Sequence, residues 1–202
     1  MIACAEPDAV GASDPMTRSI APLLVALTMV ACGNEAGPNA GSAAVSAAPS
    51  ASVAAGDGLK TGDAAPAVSM TLQDGKKVEL ASLKDKLVLV YFYPKDDTPG
   101  CTVEAQGVRD AWKEFQAAGI DVYGVSTQDA ASHQAFIEKH ELPFPLVVDE
   151  GGAIATAFKV PLKNGNASRQ SFLIGKDGKI KAVWPAVDPA EHAKAVLAAA
   201  RS

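Results

Sequence analysis

Tyr91-Phe92-Tyr93-Pro94-Lys95-Asp96-Asp97-Thr98-Pro99-Gly100-Cys101-Thr102-Val103-Glu104-Ala105 runs from an apolar strand through a turn into a helix whose first turn carries a cysteine. Thr98 suits an N-cap, Pro99 suits the first helical position, and Gly100 permits a tight turn. Cys101 then falls beside backbone amides that have no partner inside the helix. A helix N-terminus favours an anion, and the thiolate is the reactive form of cysteine. Cys101 is therefore a candidate nucleophile.

The flanking sequence supplies an α/β pattern. Residues 87–93 form a continuous apolar run, the mark of a central strand covered on both faces. A helix over about residues 100–118 would put Cys101, Ala105, Val108, Trp112 and Phe115 on one face, with Cys101 at the head of the core-facing stripe and the two aromatics in the core. Upstream, residues 68–72 and 77–80 flank Asp74-Gly75, a hairpin signal. Downstream, strands at 122–126 and 146–149 alternate with helices at 130–141 and 152–158. Strands at 171–175 and 180–184 surround the turn Lys176-Asp177-Gly178, and Asp188-Pro189-Ala190-Glu191 reads as the cap and capping box of a last helix. This order predicts a central mixed sheet flanked by helices, with a hairpin added toward the C-terminus.

The 202-residue chain has 23 acidic and 18 basic residues, a net charge of -5. Without Glu6, Asp8, Asp14 and Arg18 of the first 31 residues, 20 acidic face 17 basic residues, a balance that gives no support for a nucleic-acid partner. Cys4, Cys32 and Cys101 are too few and too scattered for a disulfide framework or a zinc site. No Cys-x-x-Cys pair is present, which argues against a dithiol exchanger.

Residues 1–32 read as a leader. Met16-Thr17-Arg18 is a short basic start, and residues 20–30 form an apolar core too short to span a bilayer. The run ends in Met29-Val30-Ala31-Cys32, which resembles a bacterial lipobox with Met29 in place of the usual Leu; a lipid on Cys32 would anchor the chain to a membrane. An ordinary signal peptide and an uncleaved N-terminus are the alternatives. Met16 is a better start than Met1, because residues 2–15 add acidic groups ahead of the leader. Residues 33–57 are almost wholly Ala, Gly, Ser, Pro, Asn and Val, and as a coil they would reach about 25–30 Å. The expected organisation is leader 1–32, tether 33–57 and domain 58–202, exported to a bacterial cell envelope, lipid-anchored and periplasm-facing.

Pro94, Thr98 and Cys101 in this order resemble the Pro-x-x-x-Thr-x-x-Cys signature of peroxiredoxins. Thr98-Pro99-Gly100-Cys101-Thr102-Val103-Glu104-Ala105 is similar to the bacterioferritin comigratory protein, or peroxiredoxin Q, subgroup, as is Arg169-Gln170-Ser171-Phe172-Leu173-Ile174; the likeness covers about residues 59–202. It implies a thioredoxin-like fold of peroxiredoxin type and a thiol-dependent peroxidase acting on hydrogen peroxide and organic hydroperoxides. Cys101 would attack a peroxide oxygen and become a sulfenic acid. Arg169 would stabilise the thiolate and the polarised O–O bond, Thr98 would hydrogen-bond the thiolate or the peroxide, and Pro94 would shield the pocket. Glu104 supports the helix dipole structurally. No metal and no cofactor are called for, and the resemblance implies a monomer or weak dimer.

Many members of the subgroup carry a resolving cysteine five residues after the peroxidatic one, where this chain has Gln106. If Met16 is the start and Cys32 is lipidated, Cys101 is the one free thiol. The expectation is a one-cysteine mechanism, with re-reduction by thioredoxin, glutaredoxin or a small thiol. The alternative is a membrane-tethered thioredoxin-fold redox sensor or chaperone-like binding module. His133, His140 and His192 stand among polar neighbours on expected helices and read as surface residues that form no metal cluster.

Overall fold

The computed structural model describes residues 58–202. The leader and tether readings, with Cys4, Met16 and Cys32, lie outside the described residues. The domain opens with strands β1 (Ser69–Thr71) and β2 (Lys77–Glu79), an antiparallel hairpin turned at Gly75 with φ +80°, and a short 3-10 helix (Leu80–Leu83) follows. Then come β3 (Leu87–Phe92), α1 (Pro99–Asp110), α2 (Trp112–Ala117), β4 (Ile120–Ser126), α3 (Ala130–His140), β5 (Leu146–Val148) and α4 (Ala153–Ala157). A small hairpin of β6 (Leu162–Lys163) and β7 (Asn166–Ala167) precedes β8 (Gln170–Ile174), β9 (Ile180–Trp184) and α5 (His192–Arg201).

The five-stranded sheet has the order β5-β4-β3-β8-β9. β3 lies at its centre, parallel to β4 and antiparallel to β8. The late hairpin joins the sheet through β8, which pairs directly with β3, the strand that leads into the cysteine helix. The period-two alternation of β3 divides the core. Val88, Val90 and Phe92 face one side, with Met70, Leu80, Ile154, Phe158 and Phe172. Leu89, Tyr91 and Tyr93 face the other, with Cys101, Ala105, Val108, Phe115, Phe136, Val196 and Leu197 from the helices. Each such aliphatic or aromatic side chain, fully buried, contributes about 1.5–3 kcal/mol. β4 approaches β3 so closely at Gly124 that a Cβ there would lie 2.7 Å from the Tyr91 ring and from Leu146.

Three local expectations change. The helix expected over 100–118 is two, broken at Ala111 (φ −89°, ψ 10°). No residue there forbids helix, so the break reflects packing, which overrides a weak local propensity. The expected face survives it, with Cys101, Ala105, Val108 and Phe115 buried and Trp112 against Phe144 at 5.9 Å. Asp188 does not cap the last helix. Its carboxylate accepts from Ala190 N–H at 3.0 Å, an Asx-type turn that competes with capping, and the helix begins at His192. The β6–β7 hairpin escaped the sequence reading, although Asn164-Gly165 at its tip, both with positive φ, is its ordinary signal.

Candidate active site

β3 delivers the chain to a loop, residues 93–98, that opens α1 at Pro99. Thr98 occupies the N-cap position with extended φ and ψ (−86°, 149°), but its side chain caps no amide. Its hydroxyl instead donates to Lys95 O at 3.0 Å, while its carbonyl accepts from Thr102 N–H at 2.8 Å. A threonine has one hydroxyl proton, so Thr98 can donate to a thiolate or peroxide only after leaving Lys95. Cys101 is 2% exposed and the only free cysteine among the described residues.

The sheet register brings Arg169 to this helix. β8 pairs Gln170 with Phe92, which sets the preceding residue at the end of β3 where α1 begins. Arg169 Nη2 donates to Cys101 Sγ at 3.1 Å, and Nη1 makes a close ion pair with Glu104 Oε2. Gly100 makes room for this. It is not in the left-handed region that the tight-turn reading requires; instead a Cβ there would lie 3.3 Å from Arg169 Nη2. Burial opposes the charge on Arg169, yet Glu104 and the Cys101 sulfur hold its titration above the ordinary arginine value. Glu104 itself is wholly buried and orients the guanidinium; it lies beyond the first turn of α1, which carries no acidic residue, so its part is to hold Arg169 and not to support the helix dipole.

Pro94, Lys163, Asn166, Ala167, Ser168 and Arg169 line an open cleft of about 290 Å³. The β6–β7 hairpin supplies one wall of it. Arg169 is common to the cleft and to the sulfur, so a molecule in the cleft lies against the group that touches Cys101.

Against the surface reading, His133 and His192 are buried, and His140 is half-buried. His133 is fully buried, with Nδ1 2.8 Å from Asp96 Oδ2 and Nε2 3.1 Å from Val147 O. His140 Nε2 is 2.9 Å from Asp97 Oδ1, and its Nδ1 is 3.3 Å from Gln106 Nε2. His192 is 2% exposed, with its ring against Tyr91 and Trp184. Their polar sequence neighbours concealed that each packs inward from its helix.

Asp96 braces the loop before the cysteine helix. It accepts from Tyr93 OH at 2.7 Å and from Ser132 Oγ at 2.6 Å, besides facing His133. Burial alone would raise its titration, but the hydrogen bonds from His133, Ser132 and Tyr93 outweigh that and hold it below the ordinary carboxylate value. A depressed folded-state value stabilises the fold above the unfolded value, about pH 4, and that contribution is lost as pH falls through the folded one. The expected result is a denaturation midpoint that drops on acidification below about pH 4. Asp96→Asn should lower stability at neutral pH by about 1.5–3 kcal/mol and flatten this acid dependence. Urea titrations at several pH values check both.

The AhpC/TSA family model matches residues 61–183. A protein assigned as peroxiredoxin bcp from Coxiella burnetii is 38% identical over 146 residues, which cover 69% of this chain and 97% of that protein. Chloroplastic peroxiredoxin Q of Suaeda salsa is 40% identical over 128 residues, 62% of this chain and 60% of its own length. Among solved structures, peroxidoxin BcpB of Mycobacterium tuberculosis superposes with a TM-score of 0.67 at 32% identity, covering 71% of this chain and 97% of that one. Xanthomonas campestris peroxiredoxin Q gives 0.62 at 36% identity, covering 66% and 89%. The chain belongs to the AhpC/TSA family and has the thioredoxin-like peroxiredoxin fold. Within the family it is a peroxiredoxin of the bcp/peroxiredoxin Q subfamily, a group of thiol-dependent peroxidases.

Proposed function

We propose that this chain is a one-cysteine thiol peroxidase in which Cys101 is the peroxidatic thiolate and Arg169 its activating cation. The observation that carries the assignment is the Arg169 guanidinium, forked between the buried Glu104 carboxylate and the Cys101 sulfur. The thiolate attacks one oxygen of ROOH; an S–O bond forms, the O–O bond breaks, and RO⁻ takes a proton to leave as alcohol or water. Sulfur is oxidised by two electrons to the sulfenic acid. An external thiol then forms a mixed disulfide with loss of water, and a second thiol releases Cys101. Pro94 shields the cleft from water, and Thr98, rotated from Lys95, hydrogen-bonds the peroxide.

A planar donor pair beside the reacting sulfur stabilises both the thiolate and the charge spreading along the O–O bond. Hydrogen peroxide and organic hydroperoxides are the proposed substrates. The Xanthomonas campestris bacterioferritin comigratory protein, 35% identical, is described by its alkyl peroxide reduction activity, which supports the organic class. The relatives favour this enzyme over the tethered redox sensor. The reductant is thioredoxin, glutaredoxin or a small thiol, and the enzyme is a monomer or weak dimer. We read residues 1–57 as a leader and tether that hold it, through Cys32, on the periplasmic side of a bacterial envelope.

The position of the resolving cysteine in many relatives is Gln106, whose amide meets His140. One equivalent of peroxide should therefore give a dimedone-trappable sulfenic acid on Cys101 and no intramolecular disulfide, as read by peptide mass spectrometry on the full chain. A Cys32–Cys101 disulfide in that experiment would overturn the one-cysteine mechanism.

A further inference from the structure

Among the described residues, six buried side-chain atoms lack a hydrogen-bond partner: Tyr91 OH, Glu104 Oε1, Ser168 Oγ, Ser171 Oγ, and both ring nitrogens of His192. Four of them belong to Tyr91, Glu104 and His192, which meet beneath the Cys101–Arg169 pair. The His192 ring packs edge-on to Tyr91 at 5.8 Å and to Trp184 at 6.2 Å. Its Nδ1 lies 3.0 Å from Glu104 Oε1. The distance suits a charge-assisted bond, although the approach is off the hydrogen-bonding direction, so a turn of the ring completes it. Buried polar atoms go unpartnered in folded proteins only rarely, and such atoms gather where function holds them.

We propose that His192 is a positioning residue of the thiolate centre: it engages the Oε1 side of Glu104, so that Glu104 binds Arg169 through Oε2 alone and Nη2 stays on the Cys101 sulfur. The charge count gives the reason. With Cys101 ionised, the thiolate and Glu104 are two anions served by one guanidinium, out of water. Two anions compete for Arg169, and whichever gains closer contact weakens the hold on the other. A proton on His192 adds the second cation on the far side of Glu104 and relieves that competition. The other titratable group against the ring is Tyr91, from β3; Trp184, from β9, carries no charge. Burial, reinforced by Glu104 and Cys101, pushes the Tyr91 phenol well above its ordinary value, so it stays neutral. On its own helix, the flanking Glu191 and Lys194 pair with each other in solvent at 3.4 Å.

The inference rests on Cys101 being the reactive thiolate, and its test reads the thiolate separately from peroxide turnover. Alkylation of Cys101 by iodoacetamide and its oxidation by peroxide are followed in the full chain across pH. His192→Leu, which removes the donor, should slow both by about tenfold at neutral pH, the low end for a group that acts through another residue. In a Glu104→Gln background, the same change should slow them no further. His192→Asn, which restores an N–H near the Nδ1 position but cannot be protonated, should recover only part of the neutral-pH rate, because it returns the hydrogen bond without the second charge. It should also lack the alkaline loss of rate expected of the native chain, in which a neutral imidazole would no longer supply the second cation. Equal slowing in both backgrounds, or an unchanged rate in His192→Leu, overturns the proposal. If His192→Leu does not fold, the pH profile of His192→Asn decides, and one that superposes on the native profile overturns it. Should Cys101 alkylate rapidly yet ignore peroxide, the peroxidase assignment fails while the alkylation series still judges His192.

Discussion

Cys101→Ser is expected to lose all thiol-dependent peroxide consumption, down to the uncatalysed rate, while keeping its fold. The electron balance sets the size of the effect. Peroxide reduction takes two electrons from sulfur, and a serine oxygen cannot supply them at any pH. The substitution removes one buried atom's polarisability and little volume from a site that is 2% exposed, so unfolding midpoints should stay close to the native value. A peroxide-loss assay with thioredoxin, glutaredoxin and glutathione, beside a thermal melt, checks both halves. Residual turnover well above the blank would mean that Cys101 is not the reacting group.

Arg169→Ala should have the next largest effect, and on two quantities. The rate of Cys101 with peroxide should fall by about 10²- to 10³-fold, the usual loss when a preorganised donor to a reacting anion is removed. Stability should also fall, by about 3–5 kcal/mol, because Glu104 is left buried and uncompensated. Arg169→Lys should fall between, since one ammonium cannot fork to both Glu104 and the sulfur. Pairing Arg169→Ala with Glu104→Gln separates the two effects: stability returns and the rate does not. Stopped-flow rates and denaturant curves on the four proteins measure this, and recovery of the rate in the double variant would assign Arg169 a purely structural part.

The apolar run at 87–93 made β3 legible as the covered central strand, and the 3.6-residue stripe from Cys101 to Phe115 showed which helix face it would bury. Both readings depend on local periodicity. The break at Ala111 does not, because nothing in that segment encodes it. Thr98 was legible as an N-cap by position, but its hydroxyl had a second acceptor, Lys95 O, three residues back. Arg169 could be matched to Cys101 only by resemblance, since no periodicity links residues 68 apart; the β3–β8 register is what joins them. Glu104 stood in the motif without its role as the guanidinium's anchor. His192 gave no signal at all: a lone histidine among polar neighbours looks exposed until Tyr91 and Trp184 are seen to close over it. Gly100 was read for its conformation and turned out to matter for its missing Cβ.

The central pairing of β3 with β8 also bears on how the protein is made. The cysteine leaves the ribosome 68 residues ahead of the arginine that touches its sulfur, and β8, which sets that arginine in place, follows later still. A nascent chain therefore carries Cys101 without its guanidinium while the 68 residues up to Arg169 are added. The Arg169–Cys101 contact can form only once β8 has paired with β3, so the activation proposed for the thiol would arrive together with closure of the sheet.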